Sequence, residues 1–177
     1  MATQPVIDKP VSVEKYLSTV YEHDCEYVDG VIEERDSGEF EHSFLQGLFV
    51  TIFNNHSGDW SVYALPEQRV QTRKTRFRVP DVTILRVKTP RERILTHPPL
   101  LVIEIQSPED TMRRTTAKAA EYLEFGIEHV WVIDPSARVG YIGTANGLEL
   151  ARSGVLSIAG TPIQVALADL FHELDQA

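Results

Sequence analysis

Two short apolar runs, each with a carboxylate set inside it, constrain this chain more than any other feature. One is Val79-Pro80-Asp81-Val82-Thr83-Ile84-Leu85, and the other is Pro99-Leu100-Leu101-Val102-Ile103-Glu104-Ile105-Gln106-Ser107-Pro108. Both have strand length and strand composition, so propensity and burial favour a hydrophobe at every place. An ionised carboxylate among buried aliphatics is costly unless a cation, a metal or several donors compensate it. Strand alternation puts Glu104 on one face with Leu100, Val102 and Gln106, and Asp81 on the face of Val79 and Thr83. If the two strands pair with those faces aligned, both acids reach one cation. Two partners fit at this stage. One is a neighbouring arginine or backbone N–H; the other is Mg²⁺, which takes one or two protein carboxylates and completes its shell with water and phosphate oxygens.

The segment after Glu104 supplies the next element. Ser107-Pro108 ends the strand, Asp110 or Thr111 caps a helix running to about Phe125, and Gly126 stops it. Lys118 and Tyr122, four residues apart, project from one side of that helix. A lysine stem laid along the apolar surface would bring its ammonium near the carboxylates, where it can stabilise charge on a reacting phosphate. Residues 128–134 form a further apolar strand, so residues 100–134 read as one crossover unit with parallel strands.

Upstream, Ser12 caps a short helix carrying Tyr16 and Leu17. Asp29-Gly30 between two alternating segments marks a β-hairpin with a type I′ turn, with Glu26 on its first strand. From Glu39 to Asn55 the spacing of Phe40, Phe44, Leu45, Leu48, Phe49, Ile52 and Phe53 predicts an amphipathic helix. Residues 60–65, 67–72 and 77–85 read as three strands and residues 86–99 as a loop suited to substrate contact. Short strands at 141–143, 148–151 and 155–158 and a helix over 166–174 close the chain. Residues 1–10, polar with two prolines, read as a loose lead-in, and the length of 177 residues predicts a single domain over 11–177.

Charge is unevenly placed. The net value is -9, yet residues 69–118 hold twelve of the seventeen Lys and Arg against five acids, a local balance of +7. Such a window is the footprint phosphate binding needs, and Arg73, Lys74, Arg76, Arg113 and Arg114 are its candidate nucleic-acid contacts. The arginines within 69–78 could equally alternate on the wet face of a hairpin. No apolar run reaches bilayer length and no secretory leader is apparent. The single Cys25 fits a reducing, cytoplasmic setting.

Taken together, Glu26-Tyr27-Val28-Asp29-Gly30, His42, Pro80-Asp81, Val102 to Pro108, Lys118 with Tyr122, Gly126-Ile127 and Val130-Trp131-Val132-Ile133-Asp134-Pro135 resemble the Uma-type branch of the PD-(D/E)xK nuclease superfamily. The resemblance spans about residues 12–172 in one consistent order. It implies an α/β (α+β) restriction-endonuclease-like core, with a mixed central β-sheet flanked by helices and an N-terminal β-hairpin. It also implies a Mg²⁺- or Mn²⁺-dependent endonuclease acting on nucleic acid, DNA first, with no membrane partner. Asp81 and Glu104 would be metal ligands, with the carbonyl of Ile105 as a third. The lysine that the superfamily carries two residues after the glutamate is Gln106 here, and the match assigns its role to Lys118, leaving Gln106 to orient water or backbone. Glu26, His42 and Tyr122 are accessory candidates, Glu26 as an extra ligand and His42 as a base or phosphate contact. Cutting both strands of a duplex would favour a homodimer. Two rivals stand beside this reading: a catalytically inactive nucleic-acid or protein-binding module with the same fold, and a hydrolase of another phosphate ester.

Overall fold

The computed structural model describes residues 10–21, 25–35 and 39–177; the expected lead-in at its first nine positions lies outside them. In chain order the elements are α1 (Val13–Ser18), β1 (Cys25–Val28), β2 (Val31–Glu34), α2 (Phe40–Asn55), α3 (Ser57–Trp60), β3 (Val62–Pro66), β4 (Val70–Arg73), β5 (Arg76–Arg78) and β6 (Val82–Arg86). They continue with β7 (Leu101–Ile105), α4 (Met112–Phe125), β8 (His129–Asp134), β9 (Val139–Thr144), β10 (Gly147–Leu150), β11 (Val155–Ser157), β12 (Gln164–Ala166) and α5 (Leu167–Gln176).

A six-stranded mixed sheet, ordered β10-β9-β8-β7-β6-β3, forms the centre. β7 and β8 are parallel, joined through α4, while β6 and β7 are antiparallel with Val82 opposite Ile103. β7 is an inner strand, so both of its faces are covered and both must be apolar. Leu101, Ile103 and Ile105 enter the larger core with Leu45, Phe49 and Phe53 of α2 and Leu170, Phe171 and Leu174 of α5. Val102 turns the other way, onto Ala119 and Tyr122 of α4. Glu104 therefore faces α4. Each of these core phenylalanines contributes roughly 3–5 kcal/mol against truncation to alanine.

The hairpin belongs to a second sheet, ordered β2-β1-β5-β4. Its turn places Asp29 at φ 50° and Gly30 at φ 97°, the pair of positive values that a type I′ turn requires. A Cβ on Gly30 would also lie 2.7 Å from the Pro10 Cβ, so glycine is demanded twice. Tyr16, Tyr27 and Phe77 pack under this sheet, and the Tyr16 hydroxyl donates to the Cys25 carbonyl at 2.9 Å.

Several boundaries differ from expectation for identifiable reasons. The run 77–85 is not one strand. It breaks at Val79-Pro80-Asp81, with β5 joining the hairpin sheet and β6 the central sheet. Pro80 has no N–H to give to a ladder, and the break leaves Asp81 at the point where the chain changes sheets. Residues 57–60 form a short helix, so the strand expected from Trp60 begins at Val62, and the rings of His56 and Trp60 stack 4.4 Å apart. Within the expected loop at 86–99, Leu95 is buried and bridges to Val70, so that stretch is pinned at its middle. The unforeseen β12 pairs with β11.

Candidate active site

Asp81 and Glu104 meet through register. Continuing the β6–β7 pairing by one step beyond Val82 and Ile103 sets Asp81 opposite Glu104, and opposite residues of an antiparallel pair share a face. The Asp81 carboxylate is almost fully buried and carries three donors. Arg35 Nη2 bonds Oδ1 at 2.5 Å, while the Ile105 N–H at 2.7 Å and His42 Nε2 at 3.2 Å bond Oδ2. Burial alone would raise its pKa, but His42, Arg35 and Lys118 together hold it below the ordinary aspartate value. Partial burial would lower the pKa of His42, but Asp81 draws it above its usual value. Among the described residues, His42 Nδ1 has no partner.

Glu104 is held from α4. Lys118 Nζ lies 3.0 Å from Oε2, and the Tyr122 hydroxyl donates to Oε1 at 2.6 Å. The one-turn spacing of these two residues on the helix makes that double grip possible. Burial, with the charges of Asp81 and Glu26 nearby, pushes Glu104 up to about 7 against the pull of Lys118. Lys118 itself lies well above the ordinary lysine value, because Glu104 and Glu26 outweigh its burial.

A third carboxylate, Glu26 of β1, completes the grip on Lys118 at 2.8 Å. Glu26 also accepts from the Val79 N–H at 3.0 Å and from Arg78 at 2.8 Å. Its burial would raise its pKa, but Lys118 and Arg78 bring it down to about 2. Arg78 is the hub of this layer: besides Glu26 it reaches Glu33 at 3.2 Å and binds Glu121 of α4 through two nitrogens, at 2.8 and 3.1 Å. The lysine is thus positioned through a chain of ion pairs that ties the hairpin sheet to α4.

Glu26, Arg35, His42, Asp81, Glu104 and Lys118 converge on one open cleft. Its cavity volume of about 70 Å³ leaves room for a few water-sized groups. Gln106 also lines it, but its carboxamide donates to Thr115 Oγ1 at 3.2 Å and is drawn toward α4. Tyr122 is fully buried behind Glu104. The expected phosphate contacts are dispersed. Arg73 pairs with Glu124, Arg76 with Asp29 and Glu121, and Arg114 with Glu33 at 3.4 Å at the cleft wall. Lys74 and Arg113 are exposed. Arg35 and Arg78 were not singled out from the sequence as site residues, since nothing local marks an arginine whose partners lie 46 and 52 positions away.

Among the described residues, no three His, Cys, Asp or Glu side chains form a group able to hold a metal ion. Two carboxylates lining one cleft, Asp81 and Glu104, nevertheless match the sparse, hard-oxygen protein ligation that Mg²⁺ accepts. Moreover, each acid already holds a cation, Asp81 a guanidinium and Glu104 an ammonium. The donor set therefore fits a divalent ion, on condition that it displaces or shares those partners.

A family model described as Uma2, putative restriction endonuclease, matches residues 13–164. A crystal structure from Anabaena variabilis, titled as a putative nuclease belonging to DUF820, superposes with a TM-score of 0.82 at 23% identity, covering 93% of this chain and 99% of the other. At that identity the likeness establishes the fold. No curated protein matches the chain.

Proposed function

Because the chain belongs to the Uma2 family of putative restriction endonucleases, we propose that it is a Mg²⁺- or Mn²⁺-dependent endonuclease hydrolysing phosphodiester bonds, with DNA as substrate. The observation that carries this reading is the convergence of Asp81 and Glu104, from neighbouring strands, with the ammonium of Lys118 at 3.0 Å from Glu104 in an open cleft. Asp81, Glu104 and the Ile105 carbonyl would hold the ion. When bound, such an ion polarises the phosphate and lowers the pKa of water.

The chain's own residues do the rest. Lys118, clamped by Glu104 and Glu26, places positive charge where the attacked phosphate gains negative charge. Because the lysine is held in place before substrate arrives, little reorganisation is needed in the transition state. Tyr122 fixes the rotamer of Glu104 by its hydrogen bond, and the Ile105 N–H fixes that of Asp81. Gln106, uncharged and bonded to Thr115, takes an orienting role rather than the electrostatic one. A cytoplasmic location and a homodimer that cuts both strands accompany this proposal. No helix among the described residues is long and apolar enough to cross a membrane.

One observation favours the second reading, an inactive nucleic-acid-binding module: Asp81 already has Arg35 against it at 2.5 Å. Incubation with supercoiled plasmid separates the two. The nuclease should nick or linearise it in Mg²⁺ or Mn²⁺ and not in EDTA. Equal activity of wild type and Asp81→Asn would remove the proposal, and binding without cleavage would establish the module.

A further inference from the structure

Arg35 stands where the cation would go. It follows the hairpin's second strand directly and sends one guanidinium nitrogen to Asp81 Oδ1 at 2.5 Å and the other to Glu67 Oε1 at 3.0 Å. Asp81 and its neighbour Glu104 are thereby matched by two single positive charges, Arg35 and Lys118. Those two cations also carry Glu67 and Glu26, so the conflict is local: a divalent ion on Asp81 and the guanidinium would repel each other across one oxygen. Oδ2 is already taken by the Ile105 N–H and His42, so the ion must compete for Oδ1, where Arg35 sits.

Resting on the endonuclease reading above, we infer that Arg35 is a substrate ligand parked on Asp81, exchanging that carboxylate for a phosphate oxygen of the nucleic acid when the cation binds. Three features support the exchange. Glu67 is half exposed and can retain Arg35 after Asp81 is given up. Arg35 is only 17% exposed and lines the same cleft as Lys118, so its released edge stays beside the reacting centre. A guanidinium also matches the geometry of phosphate oxygens, forming two parallel hydrogen bonds. Metal and substrate then bind cooperatively, because the ion frees the arginine that the phosphate needs.

Calorimetric titration with Mn²⁺ alone, on wild type, Asp81→Asn, Arg35→Gln and Arg35→Lys, tests this. Circular dichroism checks that each variant is folded. Arg35→Gln should bind Mn²⁺ about tenfold more tightly than wild type, the usual scale for two ligands that exclude one another. The second arm is a fluorescently labelled 20-base-pair duplex titrated in EDTA and in Ca²⁺, which takes the same oxygen ligands. Ca²⁺ should strengthen duplex binding most in wild type, less in Arg35→Lys and several-fold less in Arg35→Gln, where only the ion's own contact with the phosphate remains. Unchanged or weaker Mn²⁺ binding by Arg35→Gln, with Asp81-dependent binding intact in wild type, overturns the exchange and leaves the metal site standing. If wild type shows no Asp81-dependent heat, the endonuclease reading fails first and this one with it.

Discussion

Replacing Arg78 with methionine tests the frame that holds Lys118. Arg78 makes ion pairs with Glu26 at 2.8 Å, Glu121 at 2.8 Å and Glu33 at 3.2 Å, and both Glu26 and Glu121 are buried. Methionine fills similar space but leaves two buried carboxylates short of a cation, a loss that commonly costs about 3–5 kcal/mol. The lower end applies here. Glu26 keeps Lys118 and the Val79 N–H, while Glu121 keeps the Thr72 hydroxyl at 2.5 Å and Arg76 at 3.2 Å. We expect a loss of about 3 kcal/mol in urea unfolding followed by tryptophan fluorescence at pH 7, with an unchanged m-value. Adding Glu121→Gln to the same variant should recover at least about 1 kcal/mol, because it removes one of the orphaned charges. A loss under about 1 kcal/mol would mean that water, not Arg78, compensates these acids, and the account of how Lys118 is positioned would go with it.

Acid stability follows from the same layer. Glu26 lies at about 2 against an ordinary 4.5, so its stabilising contribution is complete above about 4.5 and is lost as pH falls toward 2. The depression corresponds to roughly 3 kcal/mol; unfolding free energies measured from pH 6 to pH 2.5 should fall more steeply for wild type than for Glu26→Gln, and parallel curves would contradict the assignment. Lys118→Met should lower kcat for plasmid cleavage about a hundredfold or more while KM changes little, the pattern expected when a group acts on the transition state. A rise confined to KM would make Lys118 a binding residue only.

The features legible in the sequence are those with local causes. Asp29-Gly30 announces its turn because few residues tolerate two successive positive φ values. The parity of Asp81 and Glu104 within apolar runs anticipates a shared face, and the spacing of Lys118 and Tyr122 anticipates their joint reach to Glu104. Arginines are harder. Arg76 and Arg78 alternate along β5 with Phe77 between them, like residues on a wet face, yet both turn toward Glu121 of α4. That acid is more than forty residues away, and only the packing of the hairpin sheet onto α4 creates the contact. Pro80 lies inside a run that reads as one strand, and nothing local shows that the chain breaks there and passes into a different sheet. Arg35 lies beyond local reasoning for the same reason: its meaning comes from Asp81 and Glu67, which reach it only in the fold.

The central claim is that one divalent ion sits between Asp81 and Glu104. Crystals grown without metal and soaked in Mn²⁺, measured at a wavelength where manganese scatters anomalously, address it directly. The account predicts a single strong anomalous peak about 2.0–2.4 Å from a carboxylate oxygen of each residue, with Arg35 moved off Oδ1. No peak in the cleft, or one that touches neither carboxylate while Arg35 and Lys118 keep their present partners, would contradict it.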